Sequence, residues 1–226
     1  MSDLPPLPIP ADANPYRVFD RNVLYDSPWI RLREDRYQHR RGAHGQYAVC
    51  GFKRTACGVL ALDEQDRVVL VGQWRYPHEA YSWELPEGGG EESESPLAAI
   101  QRELREESGL TAQVWEPLAF CLNSNSSTDE ETFLFLAHGL QEAPGGCAAE
   151  SNEELLQRRE PFAQCVARVL SGEITDVLSV VALLALQARR SGTQGAMDPA
   201  LAERFFQAPD RHPGLGRARW GKLEEL

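Results

Sequence analysis

What this chain lacks narrows its class before any motif is read. It has no apolar run long enough to cross a bilayer: the longest, residues 177–186, is too short and is interrupted by Ser179. Its opening residues, MSDLPPLPIP, have neither the basic start nor the apolar stretch of an export signal. Positive charge is scarce. With 23 Lys and Arg against 34 Asp and Glu, the net charge is −11, which argues against nonspecific binding to nucleic acid or a membrane surface. Cysteine is sparse and odd in number: Cys50, Cys57, Cys121, Cys147 and Cys165 show no zinc or redox-motif spacing. That usage reads as reduced thiols in a cytoplasmic protein. The histidines (His39, His44, His78, His138, His212) form no ligand pair or dyad. There is no internal repeat, and biased composition is confined to the proline-rich residues 1–15, an extended arm.

What is there suits a globular domain: 226 residues, 42% hydrophobic and 25% charged, enough for one sizeable core. Residues 16–41 suggest two or three short strands with little core of their own, so they must pack on the main domain or on a second subunit. Residues 46–52 and 56–62 read as strands. Asp63-Glu64-Gln65-Asp66 reads as a turn from which 67–74 returns as the partner strand. Residues 112–122 and 132–137 are strand candidates around the polar segment 123–130. Helices are expected over 160–170 and, capped by Thr175 or Asp176, over 176–189, with another over 199–206.

The chain is organised around residues 88–110, GGGEESESPLAAIQRELREESGL. Ser95-Pro96 reads as a helix cap with proline in the first turn, and Gly109 as the residue that ends the helix. Gly88 reads as part of a turn feeding it. Leu97, Ile100 and Leu104 supply the packing stripe. Glu103, Glu106 and Glu107 stand at i, i+3 and i+4, so three carboxylates share one face. Like charges so placed repel by about 0.2–0.5 kcal/mol per pair. A hard cation such as Mg²⁺ would reverse that sign.

The full pattern is Gly88, five residues, Glu94, seven residues, Arg102-Glu103-Leu104, one residue, Glu106-Glu107, one residue, Gly109-Leu110. It resembles the Nudix box at every defining position. The resemblance implies an α/β/α sandwich with a mixed sheet and a small N-terminal β-strand segment, and an enzyme that cleaves a nucleoside diphosphate linked to another group. Further features resemble the subfamily of ADP-ribose pyrophosphatases and other nucleoside-diphosphate-sugar hydrolases. They are the strand-rich N-terminal segment, Trp74-Arg75-Tyr76-Pro77, Trp83-Glu84-Leu85-Pro86, the acidic cluster from Glu150 to Leu155, and Ser171-Gly172-Glu173-Ile174-Thr175-Asp176. Two positions depart from that subfamily: Ser124-Asn125-Ser126 stands where Ser-Pro-Gly is usual, and Glu87 where a small residue is usual.

By this resemblance the chain divides into an arm (1–15), a dimerising β segment (16–42), a Nudix domain (43–192) and a C-terminal tail (193–226). The expected chemistry is hydrolysis of the pyrophosphate of ADP-ribose or of an ADP- or GDP-linked hexose. Mg²⁺ or Mn²⁺ would sit on Glu103, Glu106, Glu107 and Glu87 through its carbonyl. Arg102 would hold a neighbouring box carboxylate in position. Glu153, then Glu150, and alternatively Glu130, are the candidate bases. Arg75 is the candidate phosphate contact, Glu84 a further substrate contact, and Trp29 and Tyr16 candidates for stacking on the base. A homodimer with no nucleic-acid or membrane partner is implied. Alternatives are a Nudix enzyme for dinucleoside polyphosphates or damaged nucleotides, and a nucleotide-sugar-binding module without catalysis.

Overall fold

Residues 7–91, 93–146, 155–193, 195 and 197–208 are described by a computed structural model. They divide into two units, one of residues 7–54 with 122–131, the other of 55–121 with the described residues of 132–208.

The first unit is built on an antiparallel sheet of β1 (Tyr16–Asp26), β2 (Ile30–His39) and β3 (His44–Phe52), in that order. β1 and β2 are joined by a tight turn in which Ser27 N donates to Ile30 O at 2.9 Å. The sequence led us to expect shorter strands here. They extend because backbone pairing, rather than an apolar core, drives them: β2 is paired along both edges. Its central charges are satisfied internally. The buried Asp35 accepts from Arg21 Nε at 3.0 Å and Arg33 Nε at 3.1 Å. Residues 122–131 attach to β3, where Cys50 N donates to Ser127 O at 2.9 Å and Phe52 N to Asp129 Oδ1 at 3.1 Å. β1 leaves Phe19, Val23, Leu24 and Tyr25 about half exposed.

The second unit holds β4 (Thr55–Ala61), β5 (Arg67–Arg75), β6 (Ala80–Glu84), β7 (Glu87–Gly90), most of β8 (Leu110–Leu122) and β9 (Glu131–Glu142), and β10 (Leu156–Pro161). Its helices are α1 (Pro96–Ser108), α2 (Phe162–Ser171), α3 (Val177–Arg190) and the short α4 (Pro199–Glu203). One sheet runs β7-β4-β9-β8, with β4 and β9 parallel; a second runs β10-β5-β6. β4 and β9 are apolar on both faces because both faces are covered. Cys57, Val59 and Ala61 of β4, with Phe133 and Phe135 of β9, pack with Ile100 and Leu104 of α1. Leu60, Leu134 and Leu136 pack the opposite way, with Leu178, Ala182 and Leu183 of α3. The fold is therefore mixed α/β with helices on both sides of a sheet.

Three local expectations are corrected. Residues 67–74 do not return as the partner of 56–62: apart from a bridge between Leu62 and Val68, β5 pairs with β6 and β10, while β4 pairs with β7 and β9. Strands apolar on both faces carry no alternation to favour the nearest partner. Gly88 lies in the edge strand β7 rather than in a turn. Residue 160 does not open a helix. Leu156–Pro161 is a strand on the edge of β5, and the helix starts at Phe162. Its sequence, LQRREP, has no apolar period, because only its backbone is needed for pairing. Among the described residues, no helix is long and apolar enough to cross a membrane.

Candidate active site

Local sequence sets α1 and its acidic face. Ser95 Oγ accepts from Ala98 N at 3.1 Å, Pro96 occupies the first turn, and Gly109 ends the helix with φ of 67°. Ala99, Ile100 and Leu104 are fully buried. That anchors one side of α1 and leaves Arg102, Glu103 and Glu106 partly open to solvent.

Arg102 gathers the acids of this face. Its Nη1 donates to Glu103 Oε1 at 2.8 Å and to Glu106 Oε2 at 2.9 Å, and its Nε and Nη2 donate to Glu94 at 3.1 and 3.0 Å. Its Nη2 also reaches Gly89 O at 3.3 Å. Glu107 is turned inward, 4% exposed, and accepts from Glu87 N at 3.0 Å. Beside it, Gly88 matters by space rather than by backbone angle: a Cβ there would fall on the Glu103 carboxylate and force it aside. Thus residues 87 and 88 form the floor on which two of the box carboxylates rest.

A second arginine cluster holds that floor from the other side. Arg75, at the end of β5, donates through Nε to both oxygens of Glu84 at 3.0 Å and through Nη2 to Glu84 Oε2 and Glu87 Oε1, each at 2.5 Å. Glu84 is 2% exposed. Among the described residues, Glu87 Oε2 is buried with no hydrogen-bond partner. Burial, with the nearby charges of Asp176 and Glu84, pushes the Glu87 carboxyl well above the usual carboxylate range, against the pull of Arg75. Two contributors were missed in the sequence. Asp176, read only as a helix cap, caps α3 by accepting from Ser179 N at 2.7 Å and also adds its charge to this cluster. Ser179, seen only as an interruption of an apolar run, is fully buried, and its Oγ accepts from Leu85 N at 2.8 Å. A lone polar residue inside a buried apolar helix was the available signal.

Among the described residues, no group of three or more His, Cys, Asp or Glu side chains is drawn together as a metal site. The carboxylates are bridged by Arg102 instead. Even so, the donor set fits a hard divalent cation. The side-chain donors are all carboxylate oxygens, a guanidinium already lies between two of them, and Gly88 places no side chain beneath Glu103.

Glu150 and Glu153 fall outside the described residues. Glu130 belongs to the first unit, where Asn123 Nδ2 donates to its Oε2 at 2.9 Å and burial raises its carboxyl. Trp29 and Tyr16 are in that unit too. Trp29 is 57% exposed with the Arg54 guanidinium 4.4 Å from its ring centroid, and Tyr16 meets Tyr37 edge-on at 4.9 Å. Arg75 and Glu84, expected to contact substrate, are paired with each other.

Comparison with known proteins agrees with this arrangement. Residues 52–158 match the NUDIX domain. The ADP-ribose pyrophosphatase of Mycobacterium tuberculosis is 32% identical over 138 residues, 61% of this chain and 67% of that protein. The ADP-ribose pyrophosphatase of Bacillus subtilis is 28% identical over 136 residues, 60% of this chain and 74% of that protein. The methanol dehydrogenase activator of Bacillus methanolicus is 28% identical over 132 residues, 58% and 71% of the two chains. A crystal structure of an ADP compounds hydrolase shares the fold with a TM-score of 0.71 at 19% identity, covering 80% of this chain and 96% of that one. With the glycine floor, the arginine-gathered glutamates and these likenesses in agreement, the chain belongs to the Nudix family.

Proposed function

We propose that this protein hydrolyses the pyrophosphate bond of a nucleoside diphosphate sugar, ADP-ribose or an ADP- or GDP-linked hexose. The observation that carries the reading is the carboxylate platform: Glu103 and Glu106 bridged by Arg102, with Glu107 tied to the backbone of Glu87. The named activity of the two ADP-ribose pyrophosphatases points to the substrate class. Glu103, Glu106 and Glu107, with the backbone at Glu87, would hold Mg²⁺ or Mn²⁺. Such an ion, when bound, would neutralise pyrophosphate charge and lower the pKa of a water on it.

The chain's own residues do the rest. Arg102 holds two carboxylates at fixed separation so that like charges do not splay. Gly88 lets the backbone pass beneath Glu103 without a side chain. In the reaction, water adds its oxygen to one phosphorus and the bond from that phosphorus to the bridging oxygen breaks. The products are a nucleoside monophosphate and a sugar phosphate. A glutamate, Glu153, Glu150 or Glu130, takes the water's proton. The half-exposed apolar residues of β1 support a second copy of the chain as partner.

A panel of nucleoside diphosphate sugars assayed with Mg²⁺ and with Mn²⁺ tests the reading. Release of nucleoside monophosphate from ADP-ribose or an ADP- or GDP-hexose is expected. Turnover only of dinucleoside polyphosphates would overturn it.

A further inference from the structure

We infer that Phe205 is a positioning residue for the carboxylate helix, so that residues 197–206 brace α1 rather than trail from the domain as a tail. The hold begins in the backbone. At the start of α1, Pro96 has no N–H, Ala98 N donates to Ser95 Oγ at 3.1 Å, and Leu97 N donates out of the helix to Phe205 O at 3.0 Å. It continues in the side chain. The Phe205 ring is fully buried, in the same apolar cluster as Ala99, Ile100 and Leu104 of α1. It meets Phe133 and Phe135 of β9 edge-on, with ring centroids 4.9 and 5.0 Å away. Met197 and Leu201 pack on the same cluster, and the Arg204 guanidinium lies 5.0 Å from the Phe120 ring centroid. On its other side α1 sits close to β7. A Cβ on Gly88 would fall on the Glu103 carboxylate, and one on Gly90 would come 3.1 Å from the Ala99 Cβ. β7 and β9 flank β4 in the sheet, so the helix has a support on either side of β4. Removing the Phe205 ring opens a void at one support only, and α1 would tip toward it. Glu103 and Glu107 would then shift against Gly88 and Glu87. The Ser95 cap is local to the helix, and its loss leaves this hold intact.

The face that Phe205 positions is the one proposed above, so its role rests on that face binding a divalent cation. It does not depend on which substrate is cleaved. The test measures Mn²⁺ binding to the full chain without substrate, by the loss of the free-ion paramagnetic resonance signal. Phe205→Ala is expected to weaken Mn²⁺ binding by about tenfold, the usual scale for a group that orients metal ligands. Phe205→Leu refills most of the space and should stay within about threefold of the wild type. Leu186→Ala is the control. Leu186 is also buried, but it lies on α3, in the cluster on the other face of the sheet. Its loss should lower the melting temperature as Phe205→Ala does and leave Mn²⁺ affinity unchanged. Amide exchange at Leu97 should quicken in Phe205→Ala and not in Leu186→Ala. If Phe205→Ala unfolds, as a thermal melt would reveal, Leu201→Ala on α4 should give a smaller loss of Mn²⁺ affinity in the same direction.

Unchanged Mn²⁺ affinity in Phe205→Ala, or in Leu201→Ala where the first does not fold, would overturn the inference and leave Phe205 as core filling. Equal losses in Phe205→Ala and Leu186→Ala would overturn it too, because affinity would then follow stability rather than the seat of α1. A wild-type protein that binds Mn²⁺ but cleaves no nucleotide sugar would sink the proposed activity and leave this inference standing.

Discussion

Two arginines in the catalytic unit each gather carboxylates, and they differ in how far they reach. Arg102 takes partners one, four and eight residues away, all within or just ahead of one helix. Arg75 takes partners nine and twelve residues away, across β6 and into β7. The first cluster faces partly outward, with Arg102 and Glu106 each about a quarter exposed. In the second, the Glu84 and Glu87 side chains are nearly buried while Arg75 itself is about a third exposed. A short-range cluster of this kind follows from helical periodicity alone. The long-range one exists only because three strands, β5, β6 and β7, converge. The difference teaches where the specific chemistry of this chain is set: the outward cluster presents carboxylates, and the inward cluster holds the backbone they stand on.

The comparison can be broken at its outward end first. Glu106→Gln removes a carboxylate that Arg102 holds, and hydrolysis should fall by about a thousandfold or more with the melting temperature little changed. Near-normal turnover in that variant would remove the outward cluster from the chemistry. Gly88→Ala probes the floor between the clusters. Its methyl group would displace the Glu103 carboxylate, and a loss on the order of a hundredfold in kcat/KM is expected. If the rate survives, the floor tolerates a side chain and the two clusters are not coupled through it.

Smaller effects sharpen the contrast. Arg102→Lys keeps a cation but cannot bridge three carboxylates, so Mn²⁺ affinity should drop by about tenfold. Equal losses for Arg102→Lys and Arg75→Lys would mean that both clusters orient the platform to the same degree. The smallest change tests the helix alone. Ser95→Ala removes the cap that accepts from Ala98, at about 1 kcal/mol of stability by denaturant titration, and should leave metal affinity unchanged. A loss of Mn²⁺ binding there would mean that the helix start, as well as its face, orients the acids.

Legibility followed range. The α1 helix was readable to its ends, since Ser95, Pro96 and Gly109 act through neighbours within a turn. Strands were readable over 56–62 and 132–137, within a residue of Thr55–Ala61 and over the first half of Glu131–Glu142, but their parallel pairing was not, because a strand apolar on both faces accepts several partners. Residues 160 and 161 were misread as the start of a helix, since an edge strand held by backbone bonds needs no apolar pattern. Among site residues, the glutamates of α1 declared themselves by spacing. The link from Glu84 through Arg75 to Glu87 did not, and neither did the buried hydroxyl of Ser179 beneath Leu85.

The sequence by itself determined the acidic helix, its caps, its carboxylate face and the family it belongs to. Each depends on residues close enough along the chain for the 3.6-residue turn to bring them together. Only the tertiary structure decided that Glu87 and Gly88 lie on an edge strand beneath that face, and that a buried glutamate–arginine pair holds them there. Those contacts join residues from separate elements, and separation along the chain carries no record of which strands will meet.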